Sequence, residues 1–301
     1  MRREDLACCG PPLVLDGGLA TELEARGHDL ADELWSARLL MDAPQEIVAA
    51  HVAFFTAGAQ IAITASYQAS FAGFASRGID HDEAARLLRR SVELAKEARD
   101  QAPGPKQDRW VAASAGPYGA TLADGSEYRG RYGLSGGELI AFHRPRLDVL
   151  AGAEPDVIAL ETVPDIDEGI ALVTATADLG VPAWLTYTVS GGRTRAGQPL
   201  ADAFAVAADA EHILAVGVNC CAPADVPFAI TTAREVTGKP VIVYPNSGAG
   251  WNTQQHRWTG SSLFSPEQAR EWSAAGARII GGCCRVRPAD IATLSRVIAG
   301  Q

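Results

Sequence analysis

The sequence predicts a single α/β domain, a (β/α)8 TIM-type barrel, on three observations. Short apolar runs alternate with helix-patterned segments from one end of the chain to the other. Eight such units fit 301 residues, a length suited to a barrel of typically ~250 residues plus insertions. Segments after the apolar runs include long polar loops, 116–133 and 245–262, whereas the returns are short, as at Gly238-Lys239-Pro240 and Ala275-Gly276. That asymmetry suits a barrel whose strand-to-helix loops build the active face.

The expected strands are Leu13 to Asp16, Ile61 to Ser66, Trp110 to Ala115 and Val157 to Glu161. Ala183 to Val189, Ala215 to Asn219, Val241 to Tyr244 and Arg278 to Gly281 complete the set. Helix signals lie between them. Asp82-Glu83-Ala84-Ala85-Arg86-Leu87-Leu88 opens one, continued by Val92 and Leu94. Ser265-Pro266-Glu267 and Arg287-Pro288-Ala289-Asp290 start two more, with proline suited to the first helical position. A doubly wound sheet is disfavoured because no Gly-x-Gly-x-x-Gly turn follows the first strand. No composition shift or linker divides the chain, so one domain is expected over 1–301, with 1–12 as an N-terminal extension.

Hydrophobic content of 47% and charged content of 21% suit a globular enzyme. A net charge of -10 argues against a nucleic-acid or anionic-membrane partner. No apolar stretch approaches the ~20 residues that span a bilayer, and the N-terminus lacks the apolar core of a secretory signal. The six cysteines come as adjacent pairs, Cys8-Cys9, Cys220-Cys221 and Cys283-Cys284, unlike a disulfide framework that cross-links distant loops. A reducing, cytoplasmic location is expected.

Two of those pairs end expected strands. In a barrel both strand ends reach one mouth, so Cys283, Cys284 and either Cys220 or Cys221 can share a centre. Three thiolates with an open position describe a soft-ligand site best suited to Zn2+. Vicinal side chains on a strand point to opposite faces, so the backbone must leave strand geometry there. Gly281 and Gly282 are expected to supply that freedom. Cys8 and Cys9 precede the first strand and receive no role.

At these residues the sequence resembles the homocysteine S-methyltransferase family. The motifs are Asp16-Gly17-Gly18 with Ala20-Thr21-Glu22-Leu23, then Ile63-Thr64-Ala65-Ser66-Tyr67-Gln68. Gly116-Pro117-Tyr118-Gly119-Ala120, Asp124-Gly125-Ser126-Glu127-Tyr128-Arg129-Gly130 and Glu161-Thr162 follow. Gly217-Val218-Asn219-Cys220, Tyr244-Pro245-Asn246-Ser247-Gly248 and Gly281-Gly282-Cys283-Cys284 complete the series across nearly the whole chain. The resemblance implies a zinc-dependent barrel that methylates the thiol of L-homocysteine to give L-methionine. It looks most like the branch that uses S-methylmethionine, with S-adenosylmethionine as a second candidate donor. It also implies Cys220, Cys283 and Cys284 as the zinc ligands, choosing Cys220 over Cys221.

On that resemblance, Asp16 and Glu161 match positions that receive the substrate ammonium. Gly17 is expected to let backbone approach the substrate, and Asn219 to hold a substrate or supporting hydrogen bond. Aromatic faces suit a sulfonium cation. Trp35, matched by spacing, and Tyr67 with Gln68 are expected in the donor pocket, while Glu127 and Tyr128 are candidates for a lid or that pocket. His51, His143 and His256 have no metal-ligand spacing with the cysteines. Two alternatives stand beside this reading, a selenocysteine or selenohomocysteine methyltransferase on the same site and a non-catalytic zinc-binding barrel. Oligomeric state is not legible in the chain.

Overall fold

The structure, a computed structural model, describes residues 1–6, 10–30, 35–248, 250–252, 257–259, 265 and 267–300. The barrel strands are β1 (Leu13–Val14), β2 (Ile61–Ile63), β3 (Trp110–Ala115) and β4 (Val157–Val163), then β5 (Ala183–Tyr187), β6 (Ile213–Asn219), β7 (Val241–Tyr244) and β8 (Ala277–Ile280). They pair in parallel in the order β1-β8-β7-β6-β5-β4-β3-β2. A parallel bridge between Leu15 and Ile61 joins the two ends. Asp16 tightens that seam, because its N–H donates to the Ile61 carbonyl at 3.0 Å and its Oδ2 accepts from Ile63 N at 2.8 Å.

One principal helix follows each strand: α1 (Pro44–Thr56), α2 (His81–Gln101), α3 (Gly136–Gly152) and α4 (Ile166–Thr176), then α5 (Leu200–Ala205), α6 (Val226–Thr237), α7 (Gln268–Ala275) and α8 (Pro288–Ala299). Their starts have chemical causes. Asp80 caps α2 by accepting from Glu83 N at 2.8 Å. Ser135 and Glu138 form a capping box on α3. Pro288 occupies the first turn of α8, where the Asp290 carboxylate accepts from Arg287 N at 2.8 Å. Ahead of α7 the Ser265 hydroxyl accepts from Glu267 N at 3.2 Å, while Pro266 lies outside the described residues.

The strands are buried on both faces, as a parallel sheet under helices requires. Inside the ring, Leu15, Ile61, Ala112, Ala159, Trp184 and Ile279 belong to one apolar cluster, joined by Leu6 from ahead of β1. Strand alternation then places the residues two further on in the same direction. Ser114 follows Ala112, Glu161 follows Ala159 and Thr186 follows Trp184, so apolar filling gives way to polar groups towards the C-terminal mouth. Among the described residues, no helix is long and apolar enough to cross a membrane.

β3 and β7 coincide with the expected runs, and the others shift at their ends. The first strand stops at Val14 because Leu15 makes only an isolated bridge to Ile61. The 116–133 loop carries two short 3-10 turns, Tyr118–Leu122 and Ser126–Tyr128.

Candidate active site

The three cysteines meet at the mouth. Cys220 directly follows β6 with φ of +47°, a left-handed conformation that turns it off the strand. Its Sγ lies 2.7 Å from Cys283 Sγ and 4.0 Å from Cys284 Sγ, and the latter two are 4.0 Å apart. Sulfurs at ~2.3 Å on a tetrahedral metal stand ~3.8 Å apart. Two separations fit that figure, and the Cys220–Cys283 pair would widen on a shared ion. Hydrogen bonds from Cys220 and Cys283 hold the Cys284 thiol well below its ordinary range, whereas the same cluster contacts and burial push Cys283 well up. The three thiols thus perturb one another, with Cys284 the one eased towards ionisation. A soft dication is what allows this donor set to ionise together.

Cys221 takes no part. Its side chain is buried in the core beside the start of α6, and burial pushes its thiol far above the ordinary range. Cys8 and Cys9 lie outside the described residues.

The glycines act differently from expectation. Neither Gly281 nor Gly282 has a positive φ, and the left-handed residue of this turn is Arg285, at +68°. Space is what requires them. A Cβ on Gly281 would sit 2.6 Å from Leu15 Cβ and 2.8 Å from Asp16 O, and one on Gly282 would sit 2.3 Å from Val286 Cγ1. Gly17 is packed similarly: its Cβ would meet Val286 O at 2.5 Å, although the residue also lines the cavity above the cysteines. These glycines seat the β1 and β8 loops against each other.

Glu161 lines that cavity, and a second carboxylate, Asp16, is buried next to its lining residue Gly17. Asp16 is 1% exposed, and its Oδ1 has no hydrogen-bond partner among the described residues. Burial pushes it well above the ordinary carboxylate range, and Glu161 adds to the effect. Glu161 is raised to about 7 by burial, against the opposing hydrogen bond from Ser114. The Ile63-to-Gln68 motif sets that bond up. Thr64 Oγ1 accepts from Ser114 N at 3.0 Å, Ser66 Oγ donates to Ser114 O at 2.8 Å, and the Ser114 hydroxyl is left to donate to Glu161.

Of the two roles expected for Asn219, a substrate or a supporting hydrogen bond, its contacts here are of the supporting kind. Its Oδ1 accepts from Thr162 N at 2.7 Å and Thr186 Oγ1 at 2.9 Å, and its Nδ2 donates to Thr162 Oγ1 at 2.7 Å. The side chain is fully buried and its amide is spent on structure beside Cys220. Asn246, in the loop after β7, is a residue sequence reasoning left without a role. Its N–H donates to Cys221 O at 2.9 Å and its Oδ1 accepts from Cys284 N at 3.2 Å, tying the two cysteine loops together. Only its place in the Tyr244-to-Gly248 motif signalled it.

Tyr67, Gln68, Glu127 and Tyr128 all line the cavity. Gln68 is partly committed, donating through Nε2 to Ala120 O at 3.2 Å. Tyr67 packs against Gly116, where a Cβ would lie 2.6 Å from its ring. Glu127 is 6% exposed with Oε2 unpartnered among the described residues. The Trp35 side chain and His256 lie outside the described residues. His51 and His143 are buried in the protein and are not part of the cysteine cluster.

Residues 13–298 match the family model described as homocysteine S-methyltransferase. The chain is 44% identical over 291 residues to homocysteine S-methyltransferase YbgG of Bacillus subtilis, covering 93% of this chain and 92% of that protein. It is 46% identical over 290 residues to the Escherichia coli homocysteine S-methyltransferase, with 94% of each covered. The crystal structure of the Escherichia coli homocysteine methyltransferase MmuM in its metallated form superposes with a TM-score of 0.85 at 43% identity, covering 96% of both chains.

Proposed function

This chain belongs to the homocysteine S-methyltransferase family, and we propose that it moves a methyl group from S-methylmethionine to L-homocysteine, using Zn2+ held by Cys220, Cys283 and Cys284. S-adenosylmethionine is a second candidate donor. The observation that carries the reading is the meeting of three thiols within 4.8 Å of one another in a cavity that the Glu161 carboxylate also lines. The donor set fits the ion, being soft, buried at its base and open towards the cavity. When bound there, Zn2+ supplies the positive charge that keeps sulfur ionised near neutral pH.

The chain's own groups then orient the acceptor. Asp16 Oδ1 takes the substrate ammonium, and Glu161, held by Ser114, completes the cationic subsite. Gly17 brings backbone to the same wall. Burial makes both carboxylates costly to ionise alone, so an arriving ammonium is matched to them. The homocysteine sulfur faces the methyl carbon in line, where a near-attack separation of ~3–3.5 Å is needed. A carbon–sulfur bond forms to the acceptor as the donor's breaks, and the donor leaves as a neutral thioether with the bonding electron pair. The acceptor's thiol proton leaves to solvent. Tyr67 and Tyr128 offer aromatic faces to the sulfonium. Small molecules are the only partners this chemistry calls for, and the reducing location inferred from the paired cysteines keeps the thiols available.

The test is incubation of zinc-loaded protein with homocysteine and S-methylmethionine carrying deuterated methyl groups. Methylated acceptor and demethylated donor are both methionine with one labelled methyl, so two such methionines per homocysteine consumed are expected by mass spectrometry. Their absence under reducing conditions rejects this donor.

A further inference from the structure

Glu127 is a buried carboxylate that the acceptor subsite leaves unused. It sits in the 3-10 turn Ser126–Tyr128 of the loop after β3 and lines the cavity above the cysteines. At 6% exposure its Oε2 has no partner among the described residues. A buried carboxylate oxygen left unpaired is costly, so its retention at a binding cavity calls for a cation supplied from outside. Burial, with Cys220 adding to it, raises its pKa to about 6, which agrees with a group lacking its counter-charge.

We infer that Glu127 is the donor-side carboxylate, receiving the α-ammonium of an amino-acid sulfonium whose charged sulfur faces Tyr67 and Tyr128. The inference rests on the sulfonium-donor reading above. A transfer between two amino acids brings two ammonium groups into one cavity. Glu161 on the lining, with the buried Asp16, answers the first, and Glu127 is the other acid on the lining. The ammonium suits it better than the sulfonium does. The sulfonium charge vanishes as the carbon–sulfur bond breaks, so a carboxylate placed on it would hold the ground state more tightly than the transition state. The ammonium charge is unchanged throughout, so pairing with it strengthens binding at no loss in the chemical step.

Steady-state kinetics of the zinc-loaded protein test this with Glu127→Gln, which keeps the side-chain shape. Loss of one charge-assisted contact predicts a rise of about 10- to 100-fold in KM for S-methylmethionine. Both kcat and the homocysteine KM should stay within about twofold. Wild-type protein should show a similarly raised KM for 4-dimethylsulfoniobutanoate, the same donor without its ammonium, and Glu127→Gln should lose nothing further with it. Glu127→Asp, which keeps the charge, should fall between the two, and unchanged zinc content and melting temperature certify the fold. An unchanged KM for S-methylmethionine, or a rise in the homocysteine KM instead, overturns the assignment. A wild type that transfers from neither of these donors nor from S-adenosylmethionine overturns the sulfonium reading beneath it, a distinct result.

Discussion

Thr162 and Asn219 hold each other reciprocally: Thr162 N donates to Asn219 Oδ1 at 2.7 Å, and Asn219 Nδ2 donates back to Thr162 Oγ1 at 2.7 Å. Thr162 follows Glu161 with φ of +60°, and Cys220 follows Asn219 with φ of +47°. Such conformations in non-glycine residues persist only where neighbours enforce them. One amide thus fixes the turn-outs of β4 and β6 that present a carboxylate and a thiol to the same mouth. Asn219→Leu strands the buried donor Thr162 N and removes a partner from the Thr162 and Thr186 hydroxyls, the latter keeping Tyr244 OH at 2.8 Å. We expect a loss of about 2–4 kcal/mol in urea denaturation, with zinc retention weakened alongside.

Cysteine substitutions should separate sharply. Cys283→Ser is expected to lose zinc and methyl transfer together, measured by metal stoichiometry and methionine formation. Cys221→Ala should keep the metal, because that side chain packs in the core. Zinc retained by Cys283→Ser, or lost from Cys221→Ala without unfolding, would overturn the ligand assignment. X-ray absorption with and without homocysteine adds a check on the open position. A non-catalytic zinc barrel predicts no change in the metal's ligands.

Glycine substitutions separate close packing from conformational freedom. Gly281→Ala pushes a methyl into Leu15 and the Asp16 carbonyl, where the nearest atoms lie at 2.6 and 2.8 Å. A loss of about 1–3 kcal/mol is expected, with weaker zinc binding as the cysteine loop shifts. Gly137→Ala, with nothing within 4 Å of the added atom and no positive φ, should lie within ~0.5 kcal/mol of wild type. Thermal or urea melts of both variants decide it.

Those glycines also mark where the sequence stops being legible. Alternating apolar runs foretold the strands because burial on both faces writes itself into each run, and strand-end position foretold the cysteines. Gly281 was expected to be there for backbone freedom, but its reason lies in Leu15 and Asp16, more than 260 positions away along the chain. No local pattern encodes that contact. Asn219 is similar, since its partner Thr162 stands 57 residues earlier and only the strand pairing aligns them. The motif placed Glu127 near the site, but a polar loop gives no local sign that one of its acids is buried with an oxygen unpaired.

The pH dependence of stability should report on Glu168, which is fully buried beneath the 116–133 loop. Burial raises its pKa from 4.5 to about 7, against the opposing hydrogen bond from Tyr118 N. An acid that binds its proton more tightly when folded releases it on unfolding. Its contribution is therefore fully present below the ordinary value and is lost as pH rises towards about 7. At 1.36 kcal/mol per pKa unit the loss is about 3 kcal/mol across that window. Glu161 contributes a similar slope, so the measurement is the difference between wild type and Glu168→Gln in urea melts from pH 4.5 to 7.5. The variant should show the shallower fall, and parallel curves would reject the assignment.

Glu168 also ties the 116–133 loop to the helices behind it. Its Oε1 accepts from Tyr118 N at 2.6 Å and lies 3.0 Å from His143 Nε2, while Tyr132 OH donates to Oε2 at 3.3 Å. Arg146 donates to His143 Nδ1 at 2.6 Å and also to the Gly116 carbonyl. With Nδ1 accepting, the His143 proton sits on Nε2 and points at Glu168. Burial holds that ring neutral, and the adjacent Arg146 charge assists. Both ends of the loop bearing Glu127 and Tyr128 are thus fastened to α3 and α4, whereas the walls carrying Asp16 and Glu161 are held by other contacts. Glu168→Ala should raise KM for the methyl donor about tenfold or more, from loosened positioning, with the homocysteine KM nearly unchanged. Glu168→Gln keeps an acceptor for Tyr118 N and should recover most of the loss. An equal rise in both KM values would mean that the network supports the whole mouth and not its donor wall.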